Sequence, residues 1–333
     1  MPNDTDLDVP ATADAEAVRA LREPVLVPLP ALGVIAVSGA DAITFLQSQL
    51  TNDVVHLAAG QMQLNGYCTP KGRLLATFHQ WRHGDAVMLR LPREILPAVM
   101  KRLSMFVLRA KAKLADASDA WSTHALLGHG VAALAQRAGV QLPASPWMGT
   151  VSGEARIDRV PGAAGMPERF LITAPAAAAL PAWCAGLPRV HAEVWWWSEV
   201  EAAVPTVFAA TQEKFVPQMI NFEVLGGVNF RKGCYPGQEI VARSQYLGKL
   251  KRRMQRARVE LDGVAAAADV YHSGEEQPVG TVVMAAPSPR GGTELLFEVP
   301  IDRLQAGTMH LGSPTGPALE LRALPYELFD PTA

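Results

Sequence analysis

The chain has 333 residues, 49% of them hydrophobic, and its 30 basic and 32 acidic residues leave a formal net charge of −2. This length exceeds the size at which a single core usually stops growing, so two or three domains are expected. The near balance of charge argues against a protein that coats nucleic acid, so any anion site must be local. Three widely separated cysteines exclude a disulfide scaffold and a local four-cysteine metal site, and they predict a reducing, cytoplasmic location.

The N-terminal segment, residues 1–24, is rich in Asp, Ala and Pro and has no apolar run. This composition predicts a disordered tail and not a signal peptide. No window holds the roughly 18 apolar residues of a membrane span, so no membrane association is predicted.

The next region, residues 25–252, has the pattern of an α+β fold with sheet and helices in separate layers. A buried strand at 32–37 precedes a short helix, and a meander of antiparallel strands follows. Apolar spacing predicts a helix within 93–106. The later predictions are strands at 110–115, 124–127 and 170–173, helices at 131–138 and 175–184, and a Pro/Gly-rich break at 143–153 that separates two subdomains.

Beyond residue 252 the sequence pattern changes to short β-like segments at 258–261, 279–284 and 294–299, separated by Gly, Pro and Ser. A small β-barrel or sandwich over 253–333 fits this pattern best.

A glycine-rich segment at 226–239 contains the most unusual local chemistry. Gly233 and Gly237 bracket Cys234, and Pro236 stiffens the turn, so the thiol is expected to be presented at the surface. Lys232 would stabilise a thiolate. The alternative is a glycine-rich turn that carries a small buried cysteine.

A concentrated basic stretch follows this loop, with no acidic residue between 240 and 259. Its cations are Arg243, Lys249, Lys251, Arg252, Arg253, Arg256 and Arg258. They could anchor an anion, such as the carboxylates of a cofactor tail or the phosphates of an RNA. They could equally form a solvated strand face paired with acids from elsewhere.

Three consecutive tryptophans, Trp195 to Trp197, cannot all face one side of a strand, so at least one should point into a cavity or to the surface. A flat aromatic ligand could stack there; alternatively, two are core and the third is partly covered. Glu201, in an apolar setting, would be costly to bury without donors. A heterocycle with two adjacent N–H groups would satisfy it.

The sequence gives little support for other conventional catalytic or metal sites. The histidines lack the spacing of a zinc-hydrolase motif, no metal site is predicted, and no nucleophile elbow, phosphate loop or dinucleotide fingerprint occurs. A Cys/His nucleophile pair stays open, because its partner would be distant in sequence.

Several of these residues carry a family resemblance. The runs 201–205, 215–218, 225–227 and 232–239, the last reading Lys-Gly-Cys-Tyr-Pro-Gly-Gln-Glu, resemble the signature of the YgfZ family, as does the opening segment 37–54. These are folate-binding proteins associated with iron–sulfur enzymes and tRNA modification, and they are related to the glycine-cleavage aminomethyltransferase. The resemblance implies two interleaved folate-fold domains and a terminal β-barrel around a central cavity for tetrahydrofolate.

Carried over residue by residue, the resemblance places Trp195 at a folate contact and Glu201 at the carboxylate that pairs with the pterin. Arg243 and Arg253 would hold the glutamate tail. Lys232 and Cys234 match the pair regarded as functional in the family, and they are the candidate catalytic residues. The assignment predicts that the Trp195 indole, the Glu201 carboxylate and the Cys234 thiol line one pterin-sized cavity.

The sequence also departs from the relatives. Ala76 and Thr77 occupy the place of the aminomethyltransferase aspartate, so the general base for aminomethyl transfer is missing. Leu32 replaces an aromatic residue that some members use against folate. Glu199 and Ala203 stand where arginine and glycine are common.

The resulting hypothesis is a cytoplasmic, monomeric folate-binding accessory protein. It would support assembly or repair of iron–sulfur clusters in client enzymes, including tRNA-modifying ones, through contact with those enzymes or with cluster-assembly proteins. Two alternatives stay open. One is a folate-dependent aminomethyl or methyl transferase, and the other is a tRNA-binding module that uses Lys251, Arg252 and Arg253. Whether the protein is an enzyme is left open.

Overall fold

The fold is described from a computed structural model, which describes residues 15–246 and 250–328. The helices are α1 (Ala15–Arg22), α2 (Ala42–Gln47), α3 (Leu96–Ser104), α4 (Val131–Arg137), α5 (Ala182–Ala185), α6 (Ala192–Glu201) and α7 (Gln238–Tyr246). The strands are β1 (Val25–Pro28), β2 (Leu32–Ser38), β3 (Met62–Cys68), β4 (Leu74–His83), β5 (Ala86–Pro92), β6 (Lys113–Asp116), β7 (Trp121–Leu127), β8 (Gly149–Ser152), β9 (Ala155–Val160), β10 (Arg169–Pro175), β11 (Arg252–Val259), β12 (Asp269–His272), β13 (Gly280–Pro287), β14 (Thr293–Pro300), β15 (Met309–Leu311) and β16 (Glu320–Arg322).

The first sheet has the order β3-β4-β5-β2-β6 and is antiparallel throughout. Its β3-β4-β5 meander and the helix after β5 confirm the sequence predictions. Apolar residues of α2 and α3, including Phe45, Leu46, Val99 and Leu103, pack with the sheet residues Ile35 and Leu89 in one buried cluster. The helices therefore form a layer on one face of the sheet.

The second sheet, with the order β1-β7-β10-β9-β8, interleaves with the first. Strand β1 pairs with β7, so the chain starts in the second sheet, builds the first from β2 to β6 and then returns. The predicted break at 143–153 is wrong, because it contains β8, which pairs with β9 in this sheet. The chain passes between the sheets after β1 and after β6.

The third sheet, with the order β15-β12-β13-β14-β11-β16, forms the C-terminal part and curls into a half-barrel. Its long central pairing joins β11 to β14 from Arg252↔Pro300 to Val259↔Thr293. This sheet confirms the predicted change to short β-strands after residue 252.

Two local predictions are wrong. Within the predicted disordered tail, residues 15–22 form α1, whose Ala17 and Ala20 are buried against the second sheet; residues 1–14 lie outside the described residues. The three tryptophans lie on a helix, α6, and not on a strand. Because helical side chains repeat every 3.6 residues, this changes which neighbours they share.

Candidate functional site

The first candidate site is a small cavity between the first sheet and α6, here called the Trp195 cavity. Strands β2 to β5 supply Leu32, Leu64, Thr77, Phe78, His79, Arg90, Leu91 and Pro92, and the α6 region supplies Trp195, Trp196, Glu199, Pro205 and Thr206. Trp195 is 1% exposed. The cavity volume is about 20 Å³, which is room for about one water molecule.

Buried charges surround this cavity. Arg169 Nη1 donates to Glu199 Oε1 at 2.8 Å and to Ser198 Oγ at 2.9 Å, and its guanidinium carbon lies 5.1 Å from the centre of the Trp195 ring. Desolvation raises the pKa of the Glu199 carboxyl and lowers that of the Arg169 guanidinium, while their attraction opposes both shifts. The ion pair fixes the carboxylate beside the indole.

Two further basic groups of the first sheet line the same cavity. Arg90 is buried, and its Nη1 donates to Thr173 Oγ1 at 2.7 Å. Burial, together with the charges of Arg90 and Arg169, holds the pKa of His79 well below its ordinary value of 6.5. The imidazole is therefore neutral at physiological pH.

Glu201, the carboxylate selected from the sequence, lies on a different face of α6. Six residues of helix rotate it by about 240° from Trp195, whereas Glu199, four residues on, is rotated by only about 40°. Glu201 lines a second small cavity with Arg169 and Trp197, and its Oε2 accepts from Arg256 Nη1 at 3.0 Å. Glu199, and not Glu201, shares the cavity of Trp195.

The second candidate site is the Cys234 loop, defined as residues 226–237. Cys234 is exposed, whereas Lys232 is buried. The Lys232 ammonium donates to the carbonyls of Gln47 and Leu50, at and just beyond the C-terminal end of α2, where a cation is favoured. Burial lowers the pKa of Lys232 to about 8, and the charges of Asp53 and Cys234 oppose the shift.

The segment after α2 holds the start of this loop through a buried polar network. Thr51 Oγ1 donates to the carbonyl of Gly227 at 2.7 Å, and Asn52 Nδ2 donates to that of Gly226 at 2.6 Å. Asn65 Oδ1 in turn accepts from the backbone N–H of Asn52 at 2.8 Å. Two motifs separated by about half of the chain thus form one structural unit.

The end of the Cys234 loop packs on the turn between β3 and β4. A Cβ at Gly237 would lie 2.4 Å from the carbonyl oxygen of Thr69 and 2.6 Å from Gly72 Cα, and the Gly237 φ is +82°. Only glycine tolerates both the close approach and the left-handed backbone. This contact anchors the loop below its exposed thiol.

The predicted site residues do not share one hollow. Trp195 lines one cavity, Glu201 lines another, and Cys234 lines neither. Arg243 is exposed on α7. The prediction that Arg253 holds a folate tail is wrong, because its side chain is 3% exposed and forms an ion pair with the equally buried Glu223.

Most of the basic residues on β11 pair with acidic residues, as the interpretation of a paired strand face predicts. Arg252 pairs with Glu298, Arg256 with Glu201, and Arg258 with Glu260. A tRNA-binding module built on Arg252 and Arg253 is therefore not supported. Lys251 is exposed, and Lys249 lies outside the described residues.

Sequence reasoning missed three residues that line the Trp195 cavity, Glu199, Arg90 and His79, and it missed Arg169, the ion-pair partner of Glu199. The spacing of Trp195 and Glu199 would have revealed their shared face if the segment had been assigned to a helix. Within residues 15–246 and 250–328, no group of three or more His, Cys, Asp or Glu residues could hold a metal ion. No helix in these ranges is long and apolar enough to span a membrane.

Comparison with solved structures defines the class of fold. The chain superimposes on the glycine cleavage system aminomethyltransferase T from Bartonella henselae with a TM-score of 0.74, over 93% of this chain and 88% of that one, at 19% identity. The protein thus has an aminomethyltransferase-like fold. No family model matches the sequence.

Curated relatives give the family. The tRNA-modifying protein YgfZ of Colwellia psychrerythraea is 31% identical over 234 residues, which cover 70% of this chain and 71% of that protein. The protein of the same name from Serratia proteamaculans is 29% identical over 321 residues, or 91% and 92% of the two chains. The chain belongs to the YgfZ family.

Proposed function

We propose that this protein is a folate-binding accessory protein that supports assembly or repair of iron–sulfur clusters in client enzymes, including tRNA-modifying ones. The observation that carries the proposal is the Trp195 cavity, in which an indole and a fixed carboxylate line one hollow of an aminomethyltransferase-like fold. Relatives named tRNA-modifying proteins support the link with tRNA. We place its action in the cytoplasm and its active form as a monomer.

The residues of the cavity fit a reduced pterin in chemistry. Trp195 offers a stacking surface, and Glu199 offers a carboxylate to ring N–H groups. A volume of about 20 Å³ is too small for a bicyclic ring, so binding requires side-chain movement, for which the half-buried Trp196 is the candidate. The exposed Arg243 is the candidate for the glutamate tail. The bound folate would supply one-carbon chemistry.

Two carboxylates compete for the pterin. The family match selects Glu201, whereas the geometry selects Glu199, because only Glu199 lines the cavity of Trp195. Glu201 would have to exchange Arg256 for the ligand. Comparison of Glu199→Gln with Glu201→Gln decides between them, since loss of affinity should follow the carboxylate that accepts from the ring.

An accessory role is favoured over aminomethyl transfer by the lining of this cavity. Thr77 lines it where the transferases have their aspartate, and its Oγ1 accepts from the backbone N–H of Val207 at 3.1 Å. Among the described residues that line the cavity, Glu199 carries the one carboxylate, and Arg169 neutralises it. Steady turnover of an amine donor by the purified protein would reverse this preference.

Cys234 is proposed as the functional thiol, with Lys232 as the charge beside it. The buried ammonium has its main contacts with carbonyls of the α2 end, so Lys232 would both hold the loop and provide local positive charge. Cys234→Ser should leave folding and folate affinity unchanged and should fail to rescue a strain that lacks the protein. Full rescue would remove the thiol from the proposal.

The deciding experiment is titration of the purified protein with tetrahydrofolate, followed by tryptophan fluorescence and calorimetry. Trp195→Phe keeps most of the packing and should weaken binding several-fold, and Trp195→Ala should weaken it at least tenfold. Trp121→Phe, a change at a half-buried tryptophan outside the cavity lining, is the control and should bind as the parent does. Equal affinity in all four proteins would overturn the proposal.

A further inference from the structure

We propose that the segment after α3 is a docking surface for RNA. This segment, here called the basic turn, comprises residues 101–113. Its exposed cations are Lys101, Arg109, Lys111 and Lys113, and no acidic residue occurs between Glu94 and Asp116. The inference goes beyond the proposed function, in which the client enzyme makes the contact with tRNA.

The four cations are not in ion pairs with any of the described residues. In the part of the chain that the structure describes, no carboxylate lies within ion-pair distance of any of them. Arg109, Lys111 and Lys113 are all exposed within five consecutive residues. These three charges form a compact basic group that is available to an external anion.

Apolar side chains form the tip of the same segment. Met105 is 59% exposed, Phe106 43% and Leu108 87%. Leu108 also has a φ of 46°, in the left-handed region that leucine rarely adopts. Three large apolar side chains together in solvent, with one on a strained backbone, are typical of a contact surface.

The charge pattern selects the partner. Protein surfaces usually intersperse both signs of charge, whereas a nucleic acid backbone presents one sign throughout, which matches a run of cations without an acid. The cations would contact phosphates, and Phe106 would stack on an unpaired base. RNA with exposed bases therefore fits better than an acidic protein. A lipid surface fits less well, because the tip offers only three large exposed apolar side chains.

The basic turn and the Cys234 loop lie at opposite ends of one short helix. The backbone N–H of Lys111 donates to Asp41 Oδ2 at the start of α2 at 2.7 Å, and the Lys232 ammonium contacts Gln47 at its end. A helix of six residues is about 9 Å long. RNA held by the turn would lie close to the exposed thiol.

The test is binding of fluorescently labelled, unfractionated tRNA measured by anisotropy between 50 and about 200 mM salt, the range over which phosphate contacts lose most of their strength. The variant carries Arg109→Glu, Lys111→Glu and Lys113→Glu. The matched control carries Arg137→Glu, Lys251→Glu and Arg290→Glu, which are three exposed basic residues elsewhere. Both sets lower the net charge by the same six units.

We expect the turn variant to bind tRNA at least tenfold more weakly than the parent and the control to change by less than threefold. The slope of log affinity against log salt should fall by about 2 in the turn variant, because each lost phosphate contact contributes roughly 0.7 to 0.9. Phe106→Ala should weaken binding to an oligouridine several-fold.

Equal losses in the two triple variants, or no salt-dependent binding by the parent, would overturn the inference. Tighter binding to phosphatidylglycerol vesicles than to tRNA, lost in the turn variant, would assign the surface to lipid instead. Tetrahydrofolate titration of the same proteins separates the two proposals. Folate affinity should be equal in all of them. If none of the proteins binds tetrahydrofolate while the parent still binds tRNA, only the folate proposal is overturned.

Discussion

Two segments of this protein, β11 and the basic turn, are both rich in basic residues and free of acidic ones, but they have opposite environments. On β11, the arginines at 252, 253, 256 and 258 each meet a carboxylate. In the basic turn, none of the four exposed cations forms an ion pair within the described part of the chain, and the nearby Asp41 carboxylate accepts from the Lys111 backbone N–H. Charge density along a sequence therefore does not separate a structural segment from a binding segment; the neighbours that the fold supplies do.

The two segments differ in their acidic neighbours because they occupy different positions in their sheets. Strand β11 lies between β14 and β16, which bring Glu298 and Glu320 beside its arginines, and α6 adds Glu201. The basic turn leads into β6, which is the edge strand of the first sheet. An edge has one neighbour fewer, so fewer acidic side chains reach it, and its lysines also discourage pairing with another chain.

The largest effect expected from this comparison is at Arg253. Arg253→Met should destabilise the protein by about 3–5 kcal/mol, because it leaves Glu223 buried without its partner. The midpoint of urea denaturation measures the loss. Arg253→Met combined with Glu223→Leu should recover most of it. Lys251→Met, at an exposed neighbour, is the control, and an equal loss there would contradict the structural role of Arg253.

A second effect depends on pH and arises from Glu294, a buried residue opposite Arg258 on β14. Burial, reinforced by the nearby Glu201 charge, raises the pKa of Glu294 from 4.5 to about 7. Because the folded state holds this proton more tightly, its contribution to stability is complete below pH 4.5 and is lost as the pH rises through about 7.

Glu294→Gln should therefore stabilise the protein by up to about 3 kcal/mol at pH 8 and have little effect at pH 4.5. Urea denaturation at the two pH values measures the difference. Glu320→Gln, the same substitution at an exposed residue of the same sheet, is the matched control. A gain at Glu294 that is equal at both pH values would contradict the assignment.

The smallest effect on stability is expected in the basic turn. Replacement of Arg109, Lys111 and Lys113 by glutamine should change the free energy of unfolding by no more than about 0.5 kcal/mol, because exposed, unpaired side chains contribute little to folding. A loss above about 1 kcal/mol would mean that the turn, like β11, has a structural role.

The sequence predicted the local pattern of the first sheet well, because its strands follow one another through short turns and α3 has a clear apolar period. The prediction that Trp195 and Glu201 share one cavity came from the family resemblance and from the apolar setting of Glu201. Residues six apart lie about 120° apart on a helix, so the two side chains line different cavities. Ala192 and the three glutamates of α6 favour a helix, and this signal was outweighed by the three indoles.

Long-range pairing was beyond what the sequence could give. Nothing near Arg253 in the chain indicates that Glu223 will meet it in the core, and nothing near Lys232 indicates the carbonyls of Gln47 and Leu50. The Cys234 loop was recognised by its residues and its exposed thiol was predicted, whereas the helix end that holds it depends on tertiary packing.

The pairing of β1 with β7 has a consequence for synthesis of the chain. Strand β1 is synthesised before the strands of the first sheet, and its partner β7 is synthesised after them. Strand β1 therefore stays unpaired until β7 is made. The first sheet can close meanwhile from its own strands. A nascent chain arrested before β7 would therefore expose the apolar residues Val25, Leu26 and Val27. This exposed segment could be bound by a chaperone or could start aggregation.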